Sequence, residues 1–121
     1  MDHVAKTKNI LLRFRAVDRD IFEEIKKGVK KIETRAATVR YQGIAVGDNV
    51  ILSCGSQKIK KIVFKIEKFK SIDALLKKYK PATINPRLHT KKEALAMWHS
   101  FPGYEEKIKK HGLIAIHLIN K

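Results

Sequence analysis

The apolar and polar positions of the chain follow two periods in turn, and these periods predict the order of its strands and helices. From Asn9 to Phe14, apolar residues recur at every second position, which is typical of a half-buried strand. The polar residues 1–8 before it are predicted to form a disordered tail. The folded part of the chain is therefore expected to be a single domain that spans residues 9–121.

A helical pattern follows this strand and ends at a glycine. Asp18 can cap the helix, acidic residues come early in it and lysines late, and Gly28 can adopt the left-handed conformation that closes it. A strand pattern begins two or three residues later. Its period of two places Lys31, Glu33 and Arg35 on one exposed face, so the face carries a positive, a negative and a positive charge.

The rest of the chain alternates between strand and helix patterns. Ser71 and Thr90 can cap two later helices, and the final run, Leu113–Ile119, is apolar on both faces as a central strand should be. Such a strand must pair with segments distant in sequence, so the sheet is expected to curl and close through it. We predict an α+β fold with a small, mostly antiparallel β-barrel and flanking helices. The other predicted segments are strands at 49–53 and 58–70, a loop at 83–89 and a short helix at 104–110.

Composition points to a polyanionic partner. The chain has 121 residues, with 27 Lys and Arg against 12 Asp and Glu, a formal net charge of +15 and a pI near 10.1. Such a field attracts nucleic acid, although lysines spread along the whole chain also explain solubility alone. There is no apolar run of spanning length and no signal-peptide pattern, so we expect a cytoplasmic protein with no membrane partner, monomeric by default.

Conventional catalytic and metal-binding patterns are absent from the sequence. Cys54 is the only cysteine, and the five histidines lack the i, i+4 spacing that favours chelation, so neither a cofactor nor a metal is expected. Trp98 lies on an apolar helical stripe and is predicted to pack in the core. Tyr41 and Tyr104, in a loop and at a helix start, are the better candidates to stack on a base, and Arg40 precedes Tyr41.

The remaining candidate chemistry lies in the segment 28–35. Its charges can form an ordinary ion pair on a strand, but the pattern Gly28-x-Lys30-x-x-Glu33-x-Arg35 resembles G-x-K-x-x-E-x-R, the signature of ASCH (activating signal cointegrator homology) domains. These domains belong to the PUA-like barrels. The resemblance extends from about residue 10 to residue 119 and is to small stand-alone prokaryotic members. Further similarities are Val46-Gly47-Asp48 before an apolar strand and Phe101-Pro102-Gly103-Tyr104 before the last strand.

The resemblance implies a cleft beside the first helix that binds RNA, and DNA in some members. Lys30, Glu33 and Arg35 would form this cleft, with Gly28 letting the backbone pass close. Arginine offers a planar fork to a phosphate or a base edge, and a carboxylate can accept from a base amino group. The family pattern names Lys30 where the strand period names Lys31. Both hold if the chain bends just after the glycine.

The resemblance also leaves an enzymatic alternative open. One ASCH branch removes the acyl group from N4-acetylcytidine with a threonine, a lysine and a glutamate. Lys30 corresponds to the lysine, but Glu33 stands where the threonine falls, and the loop 83–89 offers Asn85 and Arg87 instead of a glutamate. RNA binding without catalysis is therefore the leading hypothesis. The alternatives are a hydrolase or ribonuclease that uses Lys30 and Glu33, and a protein-interaction module whose charge serves solubility.

Overall fold

The computed structural model describes residues 7–120, which form a mixed α+β domain. Five strands and five α-helices follow one another in an order close to the predicted one. Two short 3-10 turns, Ala16–Asp18 and Val39–Tyr41, precede α1 and β3. The elements are β1 (Asn9–Phe14), α1 (Arg19–Lys26), β2 (Ile32–Ala36), β3 (Asn49–Cys54), β4 (Gln57–Phe69), α2 (Ile72–Lys78), α3 (Pro81–Ile84), α4 (Lys91–His99), α5 (Tyr104–His111) and β5 (Leu113–Asn120).

The five strands form one curled sheet in the order β1-β3-β4-β5-β2. The pairs β3/β4, β4/β5 and β2/β5 are antiparallel, and β1/β3 is parallel, so the prediction of a mostly antiparallel sheet is confirmed. The prediction of a closed barrel is wrong. In the described part of the chain β5 is an interior strand that pairs with β4 and β2, but β1 and β2 are the two edges and share no ladder, so the sheet is a half-barrel. We call the gap between these edges the seam.

Two hydrophobic cores lie on the two faces of the sheet. The inner core fills the half-barrel and includes Leu12, Phe22, Ile25 and Leu52. The outer core lies under α2–α5 and centres on Trp98, whose side chain is fully buried. Because β5 contributes to both cores, it is apolar on both faces, as its sequence predicts.

The turn after α1 determines where the segment 28–35 points. Gly28 has φ +80, and the amides of Val29 and Lys30 both donate to the carbonyl of Glu24 at 3.0 Å. This left-handed closure ends the helical path before β2 begins. The start of the helix differs from prediction: Asp18 precedes α1, but its carboxylate accepts from Arg15 Nε at 2.8 Å instead of capping the helix.

Of the other predicted boundaries, some are confirmed and others differ from the structure. Ser71 Oγ accepts a hydrogen bond from the amide of Ala74, and Thr90 Oγ1 accepts one from the amide of Glu93. Both predicted caps are therefore confirmed. The loop expected at 83–89 begins inside α3, which starts at Pro81. Of the predicted tail, residues 1–6 lie outside the described residues. Lys8 is anchored, because its amide donates to Asp48 Oδ1 at 3.0 Å. Within residues 7–120, the helices are too short or too polar to cross a membrane.

A partly buried polar cluster joins α2 to the sheet. Glu67 on β4 receives hydrogen bonds from Lys78 and Tyr79, and its Oε1 lies 2.8 Å from His117 Nε2. Burial raises the pKa of Glu67, but hydrogen bonds from Lys78, Tyr79 and His117 outweigh burial and lower it to about 2. We call these four residues the Glu67 cluster. Its polar groups satisfy one another, so it is a structural feature of the outer core.

Candidate functional site

A cleft of about 160 Å³ opens at the seam, where β1 and β2 fail to pair. The two edge strands form its sides, and residues before and within α1, after α3, on α4 and at the start of α5 complete it. Pockets for drug-sized molecules run from about 300 to 1,000 Å³, so this cleft suits a smaller group such as one nucleobase. Its lining includes Lys30, Glu33 and Arg35.

Lys30 forms part of the cleft floor and is almost fully buried. Its ammonium donates to the carbonyls of Ile32 and Ile84, each at 2.5 Å, and lies 3.6 Å from Glu33 Oε1. Burial lowers the pKa of Lys30, while Glu33 acts in the opposite direction. An ammonium has three donors, and here all three face acceptors. Lys30 therefore fixes Glu33 and joins β2 to the end of α3.

Glu33 and Arg35 form a second ion pair that reaches across the seam. Arg35 Nε donates to Glu33 Oε2 at 2.9 Å, and its NH2 donates to the carbonyl of Arg13 on β1 at 3.3 Å. The guanidinium also lies 4.8 Å from the Phe14 ring centroid. Burial lowers the pKa of Arg35, but Glu33 outweighs it, so the net shift is upward. Arg35 therefore connects the edge strands β1 and β2 through side-chain contacts, where no β-ladder joins them.

The exposed face predicted for β2 is therefore only partly right. Glu33 and Arg35 do share a face, but Glu33 is buried and Arg35 retains 13% side-chain exposure, because both face into the cleft. Lys31 is exposed to solvent. Lys30, which precedes the regular strand, enters the cleft after the bend at Gly28.

The upper part of the cleft is aromatic and basic. Phe101 and Tyr104 meet edge to face with centroids 5.2 Å apart, and Arg15 lies 5.7 Å from the Phe101 centroid. Burial raises the pKa of Tyr104, so its hydroxyl stays protonated and can donate. Arg13 and Arg15 are exposed and line the cleft on its β1 side. This arrangement can hold a flat ring beside a phosphate-bearing chain.

Asn85 adds a polar contact that the sequence did not identify as part of the site. It is buried, its Oδ1 accepts from the amide of Arg87 at 3.1 Å, and its Nδ2 lies 3.5 Å from the sulfur of Met97. Sulfur is a weak acceptor, so the amide still has donor capacity toward the cleft. The cleft therefore offers an acceptor, Glu33, and a donor, Asn85.

Three predicted site residues lie outside the cleft. Gly28 does not line it, and a Cβ placed there would meet nothing within 4 Å. Its role in the described structure is therefore conformational, and the close passage of the backbone at this glycine stays a prediction. Tyr41 is 8% exposed, packs in the inner core and is not part of the cleft lining. Arg40 is exposed and donates to the Leu11 carbonyl at 3.1 Å, next to the cleft instead of inside it.

Sequence signals existed for some of the residues that were missed. Phe101 belongs to the same four-residue similarity as Tyr104, and Arg13 alternates with the apolar residues of β1. Arg15 and Asn85 had weaker signals, since the first lies beyond the strand and the second lies in a loop identified only for lacking a glutamate.

The cleft shows little catalytic preparation. Within residues 7–120, no group of three or more His, Cys, Asp or Glu side chains is placed to hold a metal ion. Thr34 lines the cleft, but its hydroxyl accepts from Trp98 Nε1 at 3.0 Å, on the side of the outer core. Lys30 is surrounded by acceptors and is not placed as a free base.

Comparison with known proteins shows similarity of the whole fold. No family model matches the chain, and no curated protein matches it. The crystal structure of the hypothetical protein PH0355 is 25% identical, with a TM-score of 0.73 over 93% of this chain and 97% of that chain. The solution NMR structure of protein PF0455 from Pyrococcus furiosus is 26% identical, with a TM-score of 0.69 over 91% and 94%. The chain therefore has the fold of these two proteins over nearly its whole length.

Proposed function

We propose that this protein is an RNA-binding domain of the ASCH type that accepts one unpaired base in the seam cleft. The observation that carries the proposal is the composition of the cleft, which combines an aromatic wall, an acceptor and a donor in a space the size of a single base. Sequence-specific RNA recognition uses such splayed bases, stacked on aromatic rings and hydrogen-bonded on their edges.

The polar groups favour a base with an exocyclic amino group. Glu33 has one oxygen 2.9 Å from Arg35 Nε and the other 3.6 Å from Lys30 Nζ, so its remaining lone pairs can accept from such an amino group. Asn85 can donate to a neighbouring keto or ring-nitrogen acceptor. Tyr104 and Phe101 supply the apolar faces against which the ring packs.

The charge of the protein supplies the part of the affinity that does not depend on sequence. The segment 57–80 alone contains nine lysines against Glu67 and Asp73, and most of these lysines are exposed. Neutralising several phosphates releases counterions, so the affinity should fall steeply as salt rises. A Lys60→Gln change is expected to reduce the salt slope by about 1 without changing base preference.

Fluorescence anisotropy with a labelled, mixed-sequence single-stranded RNA tests the proposal. The titration is run at two salt concentrations, with DNA of the same sequence in parallel. Wild-type protein should bind the RNA at low salt, and Tyr104→Ala should weaken binding by about 1–3 kcal/mol, the value of one base-stacking contact. Tyr104 is half-buried and tolerates truncation better than the buried motif residues.

Phe64→Ala is the matched control, since Phe64 is an aromatic residue with 47% exposure that lies outside the cleft. It should bind RNA like the wild type, and melting curves check that both variants are folded. The proposal fails if wild-type protein does not bind RNA at low salt. Equal losses in the two variants would show that the cleft is not where RNA is recognised.

A further inference from the structure

A second hollow of about 210 Å³ adjoins the cleft and has a different charge. Arg35 and Tyr104 line both hollows, so these two side chains form the wall between them. The cleft contains the carboxylates Glu33 and Asp18 together with its cations. The second hollow is lined by the cations Arg35, Arg40 and Lys107, and among residues 7–120 no carboxylate is part of its lining.

The cations of the second hollow have spare hydrogen-bond donors. Arg40 uses NH2 for the Leu11 carbonyl at 3.1 Å, and among residues 7–120 it forms no ion pair with a carboxylate. The turn Val39–Tyr41 positions it, and its guanidinium lies 5.7 Å from the Tyr41 ring centroid. Lys107 is exposed on α5, one turn after Tyr104, and it too forms no ion pair within the described chain.

We infer that the second hollow binds the phosphate group of the nucleotide whose base occupies the cleft. This inference rests on the proposed function and extends it from a base to a nucleoside monophosphate unit. A phosphate presents several acceptor oxygens, and a guanidinium fork with a nearby ammonium satisfies them with charge-assisted hydrogen bonds. Because Tyr104 lines both hollows, the sugar would pass beside it, with the base on the cleft side and the phosphate on the other.

Unpaired cations are common in this chain, which has 27 Lys and Arg against 12 Asp and Glu, but Arg40 and Lys107 lie at one concavity whose lining in the described chain includes no carboxylate. Some other surface cations are paired. Arg87 contacts Asp20 and Glu24, and Lys91 contacts Asp73 at 2.6 Å. Two unpaired cations and the partly paired Arg35 around one concavity create a positive potential that an anion relieves. An RNA backbone and a free nucleotide both supply this group, and the experiment separates them.

Isothermal titration calorimetry with nucleosides and nucleotides tests the subsite. The probes are cytidine, adenosine and guanosine, their 5′- and 3′-monophosphates, and inorganic phosphate. We expect the best monophosphate to bind at least about tenfold more tightly than its nucleoside, as charge-assisted hydrogen bonds imply. Arg40→Gln and Lys107→Gln should each remove several-fold of this advantage and leave nucleoside binding unchanged. The Lys107 side chain forms no hydrogen bond or ion pair within residues 7–120, so its variant stays informative if Arg40→Gln unfolds.

Lys58→Gln is the matched control, since it removes one charge from an exposed position of β4 that lies outside both hollows. The subsite is overturned if monophosphates bind no better than nucleosides, or if Lys58→Gln lowers their affinity as much as Arg40→Gln and Lys107→Gln. Fluorescence anisotropy with RNA distinguishes an RNA backbone from a free nucleotide as the source of the phosphate. If RNA is the ligand, Arg40→Gln and Lys107→Gln must each weaken RNA binding more than Lys58→Gln does. If monophosphates respond to Arg40 and Lys107 but wild-type protein binds no RNA, the subsite stands for free nucleotides and the RNA-binding proposal fails.

Discussion

Replacing Lys30 with methionine tests the physical role of the ion pairs beneath the cleft. Methionine keeps the length and most of the volume of the side chain but removes the ammonium. Three acceptors then lose their donor: the carbonyls of Ile32 and Ile84, both at 2.5 Å, and Glu33 Oε1 at 3.6 Å. Only 3% of Lys30 is exposed, so water cannot replace the lost partner without opening the structure.

The expected loss is about 3–5 kcal/mol in the free energy of unfolding. Hydrogen bonds to a charged group contribute about 1.5–3 kcal/mol each, and removing one member of a buried ion pair costs about 3–5 kcal/mol. These values overlap because they describe the same ammonium, so they are not added. The total stability of a domain is about 5–15 kcal/mol, and the change should lower the melting temperature of this chain by about 10–20 °C.

Lys31→Met supplies the comparison, because Lys31 is the exposed neighbour and its replacement changes the net charge by the same amount. Urea unfolding followed by circular dichroism should show a lower midpoint for Lys30→Met at an unchanged m-value, and a shift within about 0.5 kcal/mol for Lys31→Met. A double-mutant cycle with Glu33→Gln should give a coupling above about 0.5 kcal/mol. The reasoning is refuted if the two lysine variants unfold alike.

Two further predictions concern other parts of the fold. Gly112→Ala should prevent stable folding, because Gly112 has φ +78 and a Cβ there would lie 2.3 Å from the carbonyl oxygen of Phe69. Gly55→Ala is the control: Gly55 has φ +59 but no atom lies within 4 Å of the added Cβ, so the change should cost only about 1 kcal/mol. Equal unfolding midpoints of the two variants in urea would contradict this prediction. Hydrogen-bond donors lower the pKa of Glu67 to about 2, below its unfolded value of about 4.5, so wild-type stability from this group should be present above pH 4.5 and fall toward pH 2. Glu67→Gln should lack this component, and a parallel acid dependence in both proteins would refute the assignment.

Much of the fold could be predicted because it is encoded locally. Alternation identified β1, hydroxyl caps at Ser71 and Thr90 identified two helix starts, and uninterrupted apolar residues identified β5 as an interior strand. The closure of the sheet could not be predicted in this way. Whether β1 and β2 pair depends on the curvature of three intervening strands, which no local period contains, and their failure to pair creates the cleft.

Which residues form the site could likewise be predicted only in part from the sequence. Tyr41 and Tyr104 are both candidates for base stacking in the sequence, since both lie outside the predicted strands. The turn at Val39–Tyr41 directs Tyr41 into the inner core, while Tyr104 begins α5 above the cleft. Their burial differs because of packing between distant segments, so only the structure distinguishes a core tyrosine from a tyrosine that can contact a base.

The spacing of the motif nevertheless contained information that a single strand period conceals. Glu33 and Arg35 are two residues apart and share a face of β2, but Lys30 is three residues before Glu33 and would face the other side of an unbroken strand. The three charges can meet only if the strand starts after Lys30. Gly28, with φ +80, supplies that break, and β2 starts at Ile32. Gly28 therefore belongs to the motif because the break it creates lets Lys30, three residues before Glu33, and Arg35, two residues after it, both reach the Glu33 carboxylate. Replacing Gly28 would displace Lys30 and so disturb the Glu33 carboxylate, although Gly28 itself does not line the cleft.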